Sequence, residues 1–198
     1  MSMEFPAFAD IKILLASKSP RRRALLKELG VKVEIVEPCH ENEDYPASLQ
    51  AQDIPVFLAA EKAKACKVPQ NMGEILLTAD TIVWLNNQVI GKPENRDDAY
   101  QMLQKLSGNM HEVFTGVCLT NCDKQITFYD TSRVFFKELS DSEITFYLDN
   151  FKPYDKAGSY GIQEWIGFIG IDKVEGSYFN VMGLPIHKIY YQLTQLIK

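Results

Sequence analysis

The sequence predicts an α/β fold, a mixed and twisted sheet flanked by helices, and two patterns point to it. Apolar runs of buried-strand length alternate with segments of helical period, and tight turns join several of the strands, so the sheet is not purely parallel. No repeat, low-complexity tract or clear linker divides the 198 residues, which suit one domain spanning 1–198 with room for two lobes. That length buries a core without disulfide or metal staples.

The elements follow in order. Ile11–Ala16 is an apolar run of strand size. Ser19 is a good N-cap, and Pro20 suits the first helical position, where its missing N–H costs nothing. Leu25, Leu26 and Leu29 then share a helical face, and Gly30 closes the helix. A strand over Val31–Val36 leads into the acidic loop Glu41–Asp44. A helix begins near Asp53, with Val56, Ala59, Ala60 and Ala63 at apolar spacing. Ile75–Leu85 predicts a long strand, turned by Asn86-Asn87 into a second through Val89 and Ile90. Asn95 caps the next helix, Asp97 and Asp98 suit its positive end, Ala99, Met102, Leu103 and Leu106 form its buried face, and Ser107-Gly108 stops it. Residues 111–136 predict two strands joined by a turn at Asn121–Lys124. Ser140 and Glu143 form a capping-box pattern for a helix carrying Ile144, Tyr147 and Leu148. A Gly-rich stretch, Gly158–Gly183, precedes a closing helix that starts at Leu184-Pro185 and buries Ile186, Ile189, Tyr190 and Leu193.

Composition excludes several function classes. With 46% hydrophobic and 24% charged residues the chain is globular rather than disordered. A net charge of -5 argues against a broad nucleic-acid surface but leaves room for a small polyanion held by a local cationic cluster. Cys39, Cys66, Cys118 and Cys122 form no CxxC pair. A zinc site on Cys118 and Cys122 lacks ligand spacing, and reduced cytosolic thiols are the simpler reading. Met1–Asp10 has no signal-peptide pattern, and no run of apolar residues is long enough to span a membrane, so a cytoplasmic protein without a membrane partner is expected.

Three features can carry chemistry. In the loop Ser17–Arg23, a helix N-terminus with free N–H groups coincides with Arg21 and Arg22, whose forks match phosphate oxygens, and with the hydroxyls of Ser17 and Ser19. A capped surface helix is the plain alternative, but arginines beside the positive end of a helix are unfavourable without an anion to compensate. Asp80 lies inside the apolar strand Leu76–Val83, where a carboxylate is costly unless paired or metal-bound; a solvated strand end is the alternative. Glu41 is a candidate partner carboxylate, and two carboxylates with water suit Mg²⁺. Lys62 and Lys92 are isolated lysines, informative only if the fold brings them together. The three histidines show no HExxH spacing, and there is no GxSxG or Walker A loop.

Along nearly the whole chain these pieces stand in an order that resembles the Maf family of nucleoside triphosphate pyrophosphatases. The matching segments are ASKSPRRRALLKELG at Ala16–Gly30, AAEKAKA at Ala59–Ala65, TADTIVWLNNQVIGKP at Thr78–Pro93, AYQMLQKLSGNMHEVFTGV at Ala99–Val117, YDKAGSYGIQ at Tyr154–Gln163 and VEGSYFNVMGLP at Val174–Pro185. The resemblance implies two lobes with a central cleft, similar to the inosine triphosphate pyrophosphatases, and a homodimer. It implies that Ser17, Arg21 and Arg22 cradle a triphosphate, and that Lys62 and Lys92 add positive charge. Glu41 and Asp80 would hold a divalent metal, Mg²⁺ with Mn²⁺ or Co²⁺ as alternatives, together with the attacking water. Gly161-Ile162-Gln163 resembles the subgroup acting on dTTP and UTP, since an amide can donate to and accept from a pyrimidine edge. Glu164-Trp165 departs from that pattern, a glycine being common after the glutamine; Trp165 could stack on a base or belong to the core. Lys18 is also a less usual choice. The alternative from another class is a non-enzymatic, septum-associated regulatory or nucleic-acid-binding protein. A phosphatase releasing only the terminal phosphate is a third reading.

Overall fold

The structure, a computed structural model, describes residues 5–38, 43–69 and 71–196. Its strands are β1 (Lys12–Leu15), β2 (Lys32–Ile35), β3 (Glu74–Leu85), β4 (Gln88–Ile90), β5 (Met110–Thr120), β6 (Gln125–Phe136) and β7 (Ile171–Glu175). Its helices are α1 (Pro20–Glu28), α2 (Asp53–Ala65), α3 (Arg96–Leu106), α4 (Asp141–Phe151), α5 (Trp165–Gly170), α6 (Tyr178–Val181) and α7 (Ile186–Leu196). The strands form one mixed sheet in the order β2-β1-β3-β5-β6-β7, with β4 paired to β3. The chain divides into two compact units, and β3, β5 and β6 each contribute residues to both.

The first unit comprises residues 1–80, 115–130 and 183–198. Here β1 pairs in parallel with β2 and with β3, Leu15 standing opposite Ile35 and Leu77. Ser19 caps α1 by accepting the Arg22 N–H at 3.4 Å, Pro20 takes the first helical turn, and Gly30 at φ 77° follows its end. Leu25 and Leu26 are buried, whereas Leu29 is only half-buried. The buried face of α2 is Ile54, Pro55, Leu58, Ala59 and Ala63; Val56 and Ala60, expected on that face, are half-buried. Gly116 of β5 is required here, because a Cβ at that position would lie 2.2 Å from the Pro55 carbonyl oxygen. In α7, Ile189 and Leu193 are fully buried, but Tyr190, expected in the core, is 40% exposed. Its ring stands edge-on to Phe8 at 5.5 Å and tilted to Phe5 at 6.1 Å between centroids.

The second unit comprises residues 81–114 and 131–182. The turn between β3 and β4 uses Asn86 and Asn87 at φ 51° and 62°, the left-handed pair that a tight hairpin demands. Asn95 caps α3 by accepting the Asp98 N–H at 3.0 Å, and α4 opens with the full capping box of Ser140 and Glu143. The core gathers Leu103, Leu106, Val134, Ile144, Tyr147, Leu148 and Ile166. Within the Gly-rich stretch lie α5, β7 and α6, four to six residues each, too short to show a period in sequence.

Candidate functional site

Strand order fixes the position of the first cluster. Because β1 and β3 run parallel, the loop leaving β1 and the end of the β3 segment paired with it emerge together, and the carboxyl ends of parallel strands are where α/β sheets hold ligands. Leu15 pairs with Leu77, and the Ala16 N–H donates to the Leu77 carbonyl at 3.1 Å. Ser17 therefore follows β1, and Asp80 lies within β3 three residues beyond the Leu77 that pairs with Leu15.

The loop is folded by its own side chains. Ser17 is buried and its Oγ accepts the Ser19 N–H at 3.2 Å, while the Ser19 hydroxyl caps α1. A hydroxyl that accepts keeps its proton for donation, so both serines retain a donor. No acidic residue stands in the first turn of α1, which instead carries Arg21 and Arg22 at its positive end. The Arg22 guanidinium is anchored on backbone carbonyls, Nη1 donating to Ala79 at 2.8 Å and Nε to Gly183 at 3.0 Å. Burial pushes its pKa down; the Asp80 carboxylate acts in the opposite direction, and Arg21 reinforces the fall. An arginine stays charged through such shifts, so the cluster holds a fixed cation beside Asp80.

Helix and strand periods bring Lys62 to the same place. The Thr78 hydroxyl donates to the Ala59 carbonyl at 2.6 Å, locking β3 onto α2. Two residues along the strand is the same sheet face, and three along the helix is the next turn. Asp80 and Lys62 meet accordingly, Nζ donating to Oδ1 at 2.5 Å, with their side chains 9% and 17% exposed. Asp80 is therefore a buried, paired carboxylate and not a solvated strand end. Glu41, Cys39 and His40 lie outside the described residues.

Lys92 and Gln163 belong to the second unit. Gly91 and the segment before Gln163 are tied together, the Gly158 N–H donating to the Gly91 carbonyl at 2.9 Å. Gln163 is half-buried, and its Oε1 is buried with no hydrogen-bond donor among the described residues. Trp165 is half-buried and packs against the second unit's core, with its ring centroid 4.7 Å from that of the exposed Phe146. Cys118 is a buried thiol whose Sγ accepts from Gln125 Nε2 at 3.0 Å, while Cys122 is exposed. Among the described residues no helix is long and apolar enough to cross a membrane.

The geometry also supplies what sequence reading missed. Asp130, 8% exposed, pairs with Lys188 at 2.7 Å and stands 3.8 Å from His187 Nε2. Glu164 is paired with Lys156 at 3.0 Å and accepts the Tyr147 hydroxyl. Both join residues far apart in sequence, and only the oddity of Glu164 after Gln163 signalled either.

The Maf-like protein family matches residues 12–196, nearly the whole chain. The chain belongs to the Maf family. Its relatives include a protein of Phocaeicola vulgatus named dTTP/UTP pyrophosphatase, 55% identical over 93% of this chain and 96% of the relative. Proteins of the same name from Parabacteroides distasonis and Bacteroides thetaiotaomicron are 51% and 50% identical, over 92% and 93% of this chain and 94% and 96% of their own lengths. Among solved structures, a HAM1 protein from Coxiella burnetii aligns with a TM-score of 0.43 at 14% identity, covering 64% of this chain and 73% of that one.

Proposed function

We propose that this Maf protein hydrolyses dTTP and UTP to the nucleoside monophosphate and pyrophosphate. The observation that carries the reading is the Lys62–Asp80 pair at 2.5 Å, with Arg22 fixed on the Ala79 carbonyl beside it and the α1 N-terminus opening from the adjoining strand. A phosphate-binding helix end, a fixed guanidinium and a buried carboxylate are what attack by water on a phosphoanhydride needs. The names of the relatives, at 50–55% identity over more than nine-tenths of each chain, support the substrates.

In this reading Ser17, Ser19, Arg21 and Arg22 hold the triphosphate, and Lys62 and Lys92 offset negative charge. Asp80 accepts the proton of the water that attacks the α-phosphorus, or orients that water. The P–O bond to the β-phosphate breaks, and the leaving pyrophosphate takes its negative charge toward the cations. Lys62, donating to Asp80 Oδ1, fixes the orientation of the carboxylate. Asp80 also offers the hard oxygen ligand that Mg²⁺ prefers. Since that ion keeps several waters and takes the rest from substrate phosphates, one or two carboxylates suffice, and the residues fit. Among the described residues no larger His/Cys/Asp/Glu group competes for a metal. Mg²⁺, with Mn²⁺ or Co²⁺ as substitutes and Glu41 as the second ligand, would neutralise phosphate charge. Gln163 reads the base through its amide. A cytoplasmic location and a homodimer belong to the same proposal.

The test is product analysis on a panel of nucleoside triphosphates with Mg²⁺. Monophosphate and pyrophosphate from dTTP and UTP are expected. Release of orthophosphate alone would make the protein a terminal phosphatase. No turnover, combined with salt-dependent binding of DNA or RNA, would replace the enzyme by a nucleic-acid-binding protein.

A further inference from the structure

We propose that Glu164 is a positioning residue for base selectivity, holding the Gly161–Gln163 loop through Tyr147 and Lys156; this rests on the reading of Gln163 as the base-recognising residue. The loop is built around the Glu164 carboxylate. Oε2 accepts the Tyr147 hydroxyl, and that hydroxyl oxygen accepts the Gly161 N–H at 3.0 Å. Oε1 pairs with Lys156 Nζ at 3.0 Å, a lysine whose side chain is only 10% exposed and which also contacts Asp155 at 2.7 Å. The backbone closes the same turn, the Glu164 N–H donating to the Gly161 carbonyl at 2.9 Å.

Glycine at 161 follows from this packing. A Cβ there would stand 2.7 Å from the Glu164 carboxyl carbon and 3.0 Å from Gln163 Nε2, so carboxylate and amide crowd the same side of the loop. Gly167 supports it from below: a Cβ there would lie 1.9 Å from the Ile162 carbonyl oxygen, and only its absence lets α5 press against the loop. Tyr147 is fully buried, and its pKa is raised by burial and by the bond to Glu164, so its hydroxyl keeps its proton and donates to Glu164 while accepting from the Gly161 N–H. The outcome is a Gln163 amide whose Oε1 is buried and lacks a donor. Thymine and uracil offer an N3–H donor to an amide oxygen, whereas cytosine offers an acceptor at that position. An orphaned acceptor discriminates only while it is held in place, and Glu164 is the group that holds the loop.

Four variants of the full chain test this: Glu164→Gln, Tyr147→Phe, Gln163→Ala and the double variant Glu164→Gln/Gln163→Ala. Steady-state kinetics with UTP and CTP and Mg²⁺ give the readout, with near-ultraviolet circular dichroism as the check of folding. Glu164→Gln and Tyr147→Phe should each raise KM for UTP by about tenfold, the worth of one charge-assisted hydrogen bond, with the loss falling on KM rather than kcat. The preference for UTP over CTP should narrow with it. In the Gln163→Ala background Glu164→Gln should add little, since both act through one amide. An unchanged preference in folded Glu164→Gln, or an undiminished effect of it in the Gln163→Ala background, would overturn the positioning role. If Glu164→Gln fails to fold, Tyr147→Phe breaks the same relay from its other end and decides. Should Gln163→Ala alone leave the preference intact, the base reading itself falls and the role of Glu164 falls with it.

Discussion

Asp80 on β3 and Asp130 on β6 are both buried carboxylates of the first unit, 6% and 8% exposed, and both are paired with a lysine from a helix. Around Asp80 stand Arg22, anchored by carbonyls, and the loop that caps α1. Around Asp130 stand His187 and a Lys188 that also donates to the Tyr129 carbonyl at 2.9 Å and lies over the Tyr129 ring. The lysine of the first pair is 17% exposed in its side chain and that of the second 41%. Burial with a counter-charge is thus common to a candidate catalytic group and to a structural tie. The difference lies in the further cation, Arg22, that is fixed beside the Asp80 carboxylate.

Exchanging the two charges for amides breaks the comparison most directly. Asp80→Asn should lower kcat for UTP by about a thousandfold, the scale of a lost general base, in a protein that still folds but loses at least as much stability as Asp130→Asn, since the Asp80 pair is the more buried one. Asp130→Asn should leave kcat unchanged and lower unfolding stability by about 2 kcal/mol, less than a fully buried pair because Lys188 can reach water. Equal effects of the two on kcat would dissolve the distinction.

A buried titratable group without a counter-charge sharpens it next. His111 of β5 is buried, its Nε2 is 2.7 Å from the Tyr160 hydroxyl, and burial pushes its pKa from 6.5 down to about 3. The folded state holds the ring neutral while the unfolded chain binds a proton below about pH 6.5, so the unfolded state takes up more protons. The stability contributed by His111 is complete above pH 6.5 and is lost as pH falls toward 3, at up to about 1.4 kcal/mol per pH unit. Unfolding free energies from denaturant titrations at pH 7 and pH 5 should therefore differ by about 2 kcal/mol, and His111→Phe should flatten that interval.

The smallest effect separates two helix caps. Ser19 and Ser140 each accept the N–H three residues on, at 3.4 and 3.3 Å. Their alanine variants should each cost about 1 kcal/mol of stability. Only Ser19→Ala should also raise KM, by a few-fold, because its hydroxyl retains a proton for a phosphate oxygen.

Much of this was legible from local chemistry. Ser19-Pro20, Asn86-Asn87, Asn95 and the Ser140–Glu143 box each act over a few residues, and each stands where its residue types place it. The α1 loop and Asp80 were legible because they violate a local rule, cations at a positive helix end and a carboxylate in an apolar strand. The buried face of α2 was misread because, in so alanine-rich a helix, 54, 58, 59 and 63 and 56, 59, 60 and 63 make equally good stripes, and the contact of Pro55 with Gly116 decides between them. Tyr190 was misread because period alone does not tell a core face from its rim. The ties Asp130–Lys188 and Tyr147–Glu164 join residues 58 and 17 positions apart, and only tertiary packing brings them together.

Hydrolysis of UTP in ¹⁸O-labelled water, followed by ³¹P NMR of the products, tests the central claim most directly. Attack at the α-phosphorus places the label in UMP and leaves the pyrophosphate unlabelled, which is the result predicted. Label in the pyrophosphate, or in orthophosphate released with UDP, would contradict the account, because the attacked phosphorus would then be a different one.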